Sequence, residues 1–251
     1  MKMNSLVSII TASYNSSKFI EECVASVLLQ SYTNWELLIV DDFSKDNSRD
    51  LLTNLAEKEN RIKLTFLDEN IGAAKARNIA IRNAKGKYIS FLDSDDVWQK
   101  DKLEKQIKFM EGNDIAFSFT SYTPISEDGT ISFSEIVAPT EIGYSSYLKN
   151  TIIGCLTVII DKEKVGNFEM PIIKSSHDMA LWLLIMKRGF TAYGIQESLA
   201  KYRIVSTSNT SNKLKTALDV WKVYREIEGL SLVYSAWCFV NYSVNAVKKR
   251  M

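Results

Sequence analysis

The first half of the chain alternates between apolar, β-branched segments and helical segments, and this alternation limits the fold more than any other feature. Five segments have the length and composition of strands: residues 6–11, 35–40, 61–67, 87–92 and 114–120. Between them, apolar residues recur at helical spacing. A repeated strand–helix order is typical of a mostly parallel sheet with helices on both faces. The sequence therefore predicts an α/β fold.

The second half of the chain is less regular. Its candidate elements are a hairpin turn at Asp128-Gly129, strands at residues 157–160 and 191–195, and a helix at residues 177–188. From about Asn212 onward the pattern is helical. We therefore expect one α/β body at residues 1–211 and a C-terminal helical tail at residues 212–251.

Composition excludes several classes of partner and site. Lys plus Arg number 31 against 30 for Asp plus Glu, a net charge of +1, so nothing in the charge favours nucleic acid as a partner. The three cysteines, Cys23, Cys155 and Cys238, are too widely spaced for a disulfide framework or a metal motif, and this is typical of a cytoplasmic protein. The single histidine, His177, excludes a multi-histidine metal site.

Polar residues follow four of the five predicted strands. They are Thr11-Ala12-Ser13-Tyr14-Asn15, Asp41-Asp42, Asp68-Glu69-Asn70 and Asp93-Ser94-Asp95-Asp96. Sheets of this kind bind ligands outside the carboxyl ends of their strands. We therefore expect these four segments to converge on one crevice.

The segment at residues 93–96 carries three carboxylates in four residues, and these repel one another unless a cation or hydrogen-bond donors are close. Asp93 and Asp95 can approach one hard divalent ion together. A site of few carboxylates, completed by substrate phosphate, suits Mg²⁺ or Mn²⁺. The alternative is a solvated acidic turn that caps the next helix. The preceding strand and the second acidic pair at residues 41–42 favour the metal site.

Residues near the other strand ends suit a nucleotide. Tyr14 can stack on a base, and Asp42 can accept from a base N–H or a ribose hydroxyl. Tyr14 can instead be a partly buried core aromatic. Lys75 and Arg77 lie near the start of the helix after Gly72, where a cation is a ready phosphate partner. Either can also be a solvated helix residue, and we favour Arg77 as the phosphate ligand.

Four segments together resemble the inverting family 2 glycosyltransferases, which have a GT-A fold. They read VSIITASYN, ELLIVDDFSKDNS, NIGAAKARNIAI and YISFLDSDDVW. Their order and spacing match the family over about residues 5–210. The resemblance implies a GT-A, Rossmann-like α/β fold. It also implies an enzyme that uses a divalent metal to move a sugar from a nucleoside-diphosphate sugar, most often a UDP-sugar.

The resemblance also implies roles for individual residues. The donor nucleotide would be bound by Thr11, Ala12, Tyr14, Asn15, Asp42, Arg77, Asp93 and Ser94. Asp93 and Asp95 would form a DxD motif, with Asp95 in direct contact with Mn²⁺ or Mg²⁺.

The family places its general base in a later loop, just before a helix that begins with a Leu-Trp pair. In this chain Asp178 precedes Leu181-Trp182 and so resembles that catalytic base. The residue before the base is often acidic or Gln in the family, whereas here it is His177. His177 could tune the base, contact the acceptor or satisfy the loop, and Trp182 could contact the acceptor or support the site.

The end of the chain resembles bacterial enzymes that build O-antigen, capsule or teichuronic acid, which implies a glycan or lipid-linked acceptor. Residues 202–203 and 206–211 resemble a family loop that closes near the diphosphate. Residues 229–247 carry no charged side chain, and three basic residues follow at 248–250. This pattern allows a membrane span, a helix packed on the body, or an interfacial helix in peripheral contact with the inner face of the cytoplasmic membrane.

Other classes of protein fit the sequence less well. A receiver domain has its acidic pair after the first strand, whereas here the pair follows the second. A sugar nucleotidyltransferase or a Rossmann dehydrogenase opens with a Gly-rich phosphate loop, and residues 8–20 contain no Gly. A catalytically inactive nucleotide-sugar binding module would keep the donor pocket, but the acids at 93, 95 and 178 favour an enzyme.

Overall fold

The computed structural model describes residues 4–173, 175–205 and 213–248. Its strands are Val7–Ser13 (β1), Trp35–Asp41 (β2), Ile62–Phe66 (β3), Tyr88–Phe91 (β4), Val97–Trp98 (β5), Phe117–Ile125 (β6), Glu141–Ile142 (β7), Ile159–Asp161 (β8) and Ala192–Arg203 (β9). Within the described ranges they form one sheet in the order β3-β2-β1-β4-β8-β6-β9-β5, with β7 paired to the start of β9.

Helices connect and flank these strands. They are Ile20–Leu28 (α1), Ser48–Lys58 (α2), Ala73–Asn83 (α3), Lys102–Gly112 (α4), Tyr144–Tyr147 (α5), Lys162–Val165 (α6), His177–Lys187 (α7), Lys213–Lys222 (α8) and Leu232–Lys248 (α9). A 3₁₀ turn at Cys155–Thr157 leads into β8, and a π turn at Val223–Ile227 continues α8.

Strands β1 to β4 form the parallel half of the sheet. Between β1 and β2 the paired residues run from Val7 with Trp35 to Ser13 with Asp41. Every residue of β2 is buried, as expected of a strand covered on both faces. Alternate residues of β1 and β2 enter two separate hydrophobic cores, one packed against α1, α2 and α4, the other against α3 and α7. The predicted α/β class, with a mostly parallel sheet between helices, is confirmed.

The second half of the sheet departs from the predicted pattern in direction and in bounds. Strand β8 runs antiparallel between β4 and β6, although β4 and β6 share a direction. Apolar periodicity indicates that a segment is a strand but carries no information on its direction, so the sequence could not predict this insertion. Strand β6 begins at Phe117 rather than 114, because Asp114 has a φ of 55° and belongs to the turn after α4.

Within the described residues the tail is helical, as the sequence predicts from about Asn212, but it is not one continuous helix. After the π turn the chain turns at Gly229, whose φ is +63°, and only then does α9 begin. Val220, Val223, Tyr224 and Cys238 of the tail are buried in the same core as α7. Helices in the described part of the chain fall short of the length and apolar character that a bilayer crossing requires.

Candidate active site

The loops after β1 and β2 are joined by hydrogen bonds that fix one wall of the crevice. The Asn15 N–H donates to Ser44 Oγ over 2.8 Å, and the Lys45 N–H donates to Asn15 Oδ1 over 2.8 Å. Asn15 itself has a φ of 48°, a conformation that Asn tolerates better than most residues. Tyr14, next to it, is 50% exposed, so the alternative that it is a core aromatic is wrong.

The two acids after β2 have different roles in the structure. Asp41 is buried and forms an ion pair with Arg49, at 2.7 Å between Oδ1 and Nε, so it stabilises the turn. Asp42 is 3% exposed, and its two oxygens accept the backbone N–H groups of Ile71 at 2.7 Å and Gly72 at 2.9 Å. Gly72 has a φ of +89°, which only glycine adopts at low cost. These bonds hold the start of α3 beside the end of β2.

Thr11 and Ala12, near the end of β1, differ in exposure. Thr11 pairs with Ile39 and is 1% exposed, and its Oγ1 has no hydrogen-bond partner among the described residues. Ala12 pairs with Val40 and is partly exposed. A nucleotide in the crevice would therefore meet Ala12 directly and Thr11 only from below.

Arg77 joins the acidic loop after β4 to the start of α7. Its Nη2 donates to Asp93 Oδ1, and its Nη1 lies 2.5 Å from His177 Nε2. Burial lowers the pKa of Arg77, but the charge of Asp93 and the hydrogen bond to it raise that pKa by more than burial lowers it. The guanidinium is therefore charged. Lys75, the other candidate on α3, is exposed. Of the two cations, the structure brings only Arg77 to the acidic loop.

His177 is the first residue of α7 and lies directly before Asp178. Burial, and then the positive charge of Arg77, lower the pKa of His177 to about 4, so its ring is neutral at neutral pH. Because Nε2 faces an N–H of Arg77, the ring proton belongs on Nδ1. That Nδ1 is buried and has no partner within the described chain. His177 therefore reaches Asp93 through Arg77, a connection that the sequence does not indicate.

The carboxylates of the DxD segment lie close enough to affect each other. Burial, and then the charge of Asp93, raise the pKa of Asp95 to about 6. Ser94 between them is partly exposed. Within residues 4–173, 175–205 and 213–248, no three His, Cys, Asp or Glu side chains come together as a metal-ion site. Two mutually repelling carboxylates still fit a divalent cation whose remaining oxygen ligands come from a substrate.

The third acid of that segment, Asp96, belongs to the scaffold. It is fully buried, and its Oδ1 accepts the Arg203 N–H over 2.8 Å. Burial, and then the charges of Asp95 and Asp93, raise the pKa of Asp96 well above its ordinary value. Asp96 therefore points away from the ligand side of the loop and binds the end of β9.

The sequence matches the model of a known protein family. The family model described as "Glycosyl transferase family 2" matches residues 8–169. The chain belongs to glycosyl transferase family 2. The match contains β1 to β8 and the acidic loop, but it ends before α7 and Asp178.

Two relatives match this family 2 chain over nearly its whole length. TuaG of Bacillus subtilis, assigned to teichuronic acid biosynthesis as a glycosyltransferase, is 53% identical over 98% of each chain. WfgD of Escherichia coli, a UDP-Glc:α-D-GlcNAc-diphosphoundecaprenol β-1,3-glucosyltransferase, is 40% identical over 97% of this chain and 94% of its own. Both are glycosyltransferases by name.

Solved structures confirm the GT-A fold of the family 2 chain. Residues 1–349 of S. aureus TarS, solved in complex with UDP-GlcNAc, superpose with a TM-score of 0.73. The match covers 94% of this chain and 71% of that one, at 20% identity. At that identity the likeness extends to the fold alone.

Trp182 supports the site of this family 2 chain from below. Its side chain is fully buried, and its ring centroid lies 5.4 Å from those of both Phe91 and Phe117. Phe91 ends β4, just before the acidic loop, so the contact packs α7 against the strand that carries Asp93. In this structure the indole is out of reach of an acceptor.

Sequence reasoning assigned Arg203 to a loop near the diphosphate and missed that it holds the acidic loop of the family 2 chain in place. The prediction of a loop at residues 202–203 is wrong, because both end β9, while residues 206–211 lie outside the described ranges. Arg203 is 2% exposed and donates from Nε to the Asp95 carbonyl at 2.8 Å and from Nη2 to Glu22 at 2.6 Å. No pattern in the sequence indicates that Arg203 contacts the acidic loop.

Proposed function

We propose that the chain is an inverting glycosyltransferase of bacterial surface polysaccharide synthesis. It would move a sugar from a nucleoside-diphosphate sugar, with UDP the first nucleotide to test, to a hydroxyl of a glycan or lipid-linked acceptor. One observation carries the proposal: Arg77 connects the Asp93 loop to the helix that begins with His177 and Asp178. The names of TuaG and WfgD support the polysaccharide and lipid-linked parts.

The donor nucleotide would lie across the carboxyl ends of β1, β2 and β4. Half-exposed Tyr14 would stack on the base. Asp42 already accepts two backbone N–H groups, and each of its oxygens keeps a free lone pair for a base N–H or a ribose hydroxyl. Charged Arg77, beside Asp93, would face the diphosphate.

Asp95 and Asp93 would hold the divalent ion, Mg²⁺ or Mn²⁺. Burial, and then repulsion from Asp93, raise the pKa of Asp95 to about 6, and a cation there would offset both effects. When bound, the ion would act as a Lewis acid that stabilises the negative charge gathering on the diphosphate leaving group. Arg77 would add a fixed positive charge next to the same oxygens.

Asp178 would act as the general base. It lies in the first turn of α7, and its charge acts on His177 and Arg77, so it shares their side of the crevice. Asp178 would take the proton of the acceptor hydroxyl as that oxygen attacks the anomeric carbon. Attack opposite the leaving diphosphate would invert the configuration through an oxocarbenium-like transition state.

Calorimetric titration with UDP, GDP and dTDP, each with and without Mn²⁺, tests the donor site. Metal-dependent binding of one nucleotide is the expected result. If a folded sample binds none of the three, both the enzyme and the inactive binding module are contradicted.

The variant Asp178→Asn tests the base. Loss of a positioned base lowers transfer about 10²- to 10⁴-fold, and donor binding should persist because Asp178 does not touch the nucleotide in this proposal. A variant that loses donor affinity would contradict the assignment of Asp178. Full activity in Asp178→Asn would contradict it as well. The wild type should convert donor only with acceptor present, which separates the enzyme from an inactive binding module.

A lipid-linked acceptor would also locate the enzyme. Its lipid tail lies in the bilayer, so the protein would work as a peripheral protein at the inner face of the cytoplasmic membrane, where nucleotide sugars are available.

A further inference from the structure

Helix α9 carries apolar residues on two opposite sides, and only one of these sides is covered by other residues that the structure describes. Ser235 and Cys238 are fully buried, and Phe239 and Tyr242 pack against the core. These residues recur at the spacing of one helix face. That face accounts for how α9 docks on the body.

The opposite side of α9 carries a second apolar stripe that faces solvent. Its members are Val233, Trp237, Val240 and Val244, which are 82%, 59%, 58% and 49% exposed. Their spacing of four, three and four residues places them on one line along the helix. Scattered exposed apolar residues are ordinary, but an aligned row containing a tryptophan marks a contact surface.

The charged residues that follow the stripe in the sequence are all basic. Residues 229–247 contain no charged side chain, and the sequence continues with Lys248, Lys249 and Arg250. The nearest preceding acid, Glu228, is buried in an ion pair with Lys187 at 2.6 Å. An apolar stripe with an aromatic anchor, a basic end and no acids complements an anionic lipid surface.

We infer that the stripe of α9 docks on the anionic surface of the membrane. A second copy of the chain is a poorer occupant, because a stable dimer buries roughly 800 Å² per partner and one row of side chains supplies far less. A bilayer surface accepts a single stripe, since an interfacial helix sinks only about 5–10 Å into it. This inference rests on the proposed function, because a membrane-docked enzyme would meet a lipid-linked acceptor.

Flotation with vesicles tests this surface on the full chain. The wild type should bind vesicles of phosphatidylglycerol and phosphatidylcholine in equal parts, and bind pure phosphatidylcholine at least tenfold more weakly, since each nearby Lys or Arg favours anionic lipid. The double variant Trp237→Ser, Val240→Ser should bind the mixed vesicles about 30-fold or more weakly than the wild type, because two apolar side chains no longer enter the interface.

A matched control removes apolar side chains of similar exposure elsewhere. Leu29 and Ile131 are 64% and 57% exposed, and the variant Leu29→Ser, Ile131→Ser should bind vesicles like the wild type. A second stripe variant, Val233→Ser, Val244→Ser, covers the case in which the first fails to fold. Circular dichroism establishes that each variant is folded.

The outcomes separate this surface from the donor site. UDP titration of the same variants should give the wild-type affinity, so a chain that binds UDP but no vesicle contradicts the surface alone. Vesicle binding that is equal in wild type and stripe variants also contradicts it. A wild-type dimer that becomes monomeric in the stripe variants, measured by light scattering, would assign the stripe to a second copy instead.

Discussion

At the scale of single residues, the site depends on one guanidinium that serves two partners. Arg77 donates to Asp93 from one nitrogen and faces His177 with another. A planar fork of fixed donors holds both partners in set directions, whereas a lysine ammonium is a compact charge on a flexible stem and does not fix this geometry. The neutral state of His177, with its pKa at about 4, makes it an acceptor for Arg77 rather than a competing cation.

Arg77→Lys should therefore keep the charge but lose the connection between the acidic loop and α7. We expect the affinity for nucleotide to fall about tenfold, because one charge-assisted hydrogen bond is worth about 1.5–3 kcal/mol and lysine recovers part of it. Calorimetric titration measures the change. Lys75→Ala, on the exposed side of the same helix, is the control and should bind like the wild type. Equal affinities in Arg77→Lys and the wild type would remove Arg77 from the donor site.

The rule that ligands bind outside the carboxyl ends of parallel strands predicted which segments meet, but not what each side chain does there. It places Tyr14, Asp42, Asp93 and Asp95 at one edge of the sheet, and the structure brings their loops together. It selects Asp42 rather than Asp41 as a nucleotide ligand but does not show what Asp41 does instead, because only the tertiary contacts with Arg49 and with the backbone of residues 71–72 reveal the two roles.

At the scale of elements, helix α7, which begins with His177 and Asp178, is held from the tail. Ser175, just before α7, donates its hydroxyl to Asp219 Oδ2 of α8. Asp219 is 8% exposed, and Ser176 between Ser175 and α7 has a φ of 59°. The entry into α7, and with it Asp178, is thus positioned by a helix more than thirty residues further along the chain.

Asp219→Ala should misplace the base without touching the donor site. We expect kcat to fall about fivefold to tenfold, since small displacements of a catalytic group are costly, while nucleotide affinity stays constant. Asp219→Asn still accepts the serine hydroxyl and should recover most of the rate. Glu226→Ala, exposed in the following turn, is the control. A fall in nucleotide affinity together with kcat would indicate a general loss of structure instead.

Helix α4 buries a lysine that gives the protein a testable pH dependence. Lys102 is fully buried, its Nζ donates to Gln106 Oε1 over 2.9 Å, and burial lowers its pKa well below 10.5. Between the folded and unfolded pKa values, only the unfolded chain takes up this proton. Stability contributed by the group therefore rises with pH toward 10.5 and is lost as the pH falls.

Lys102→Met should remove that slope. Denaturant unfolding between pH 7 and pH 9.5 should show the wild type gaining up to about 1.4 kcal/mol per pH unit relative to the variant. Parallel pH profiles for the two proteins would mean that Lys102 keeps its proton when folded.

The elements themselves were predicted best where local and tertiary signals agree. Apart from the two-residue strand β5, the strands and helices up to α4 follow from periodicity, because apolar strands alternate there with helices of helical apolar spacing. The tail was harder to predict, since the break at Gly229 depends on how α8 and α9 pack rather than on composition alone.

At the scale of the whole molecule, the tail belongs to the core of the body. Val220 and Val223 are buried, and the Tyr224 hydroxyl donates to the Leu148 carbonyl. Deleting residues 213–251 should therefore expose apolar surface on the body and lower its stability by about 4 kcal/mol or more, at about 1.5–3 kcal/mol per buried side chain. Thermal unfolding of the shortened and full chains measures this, and equal melting temperatures would make the tail an independent unit.

The insertion of β8 between β4 and β6 sets an order of events during synthesis. When β4 leaves the ribosome, its neighbour β1 has already been made. The strand that pairs with the other edge of β4 begins only at residue 159. Until then the nascent chain carries the strand Tyr88–Phe91, whose residues are all buried in the folded protein, with the backbone groups of one edge unpaired. Such an edge can recruit strands from other chains. Three residues, Ile159–Asp161, thus decide when a newly made chain stops being prone to aggregate.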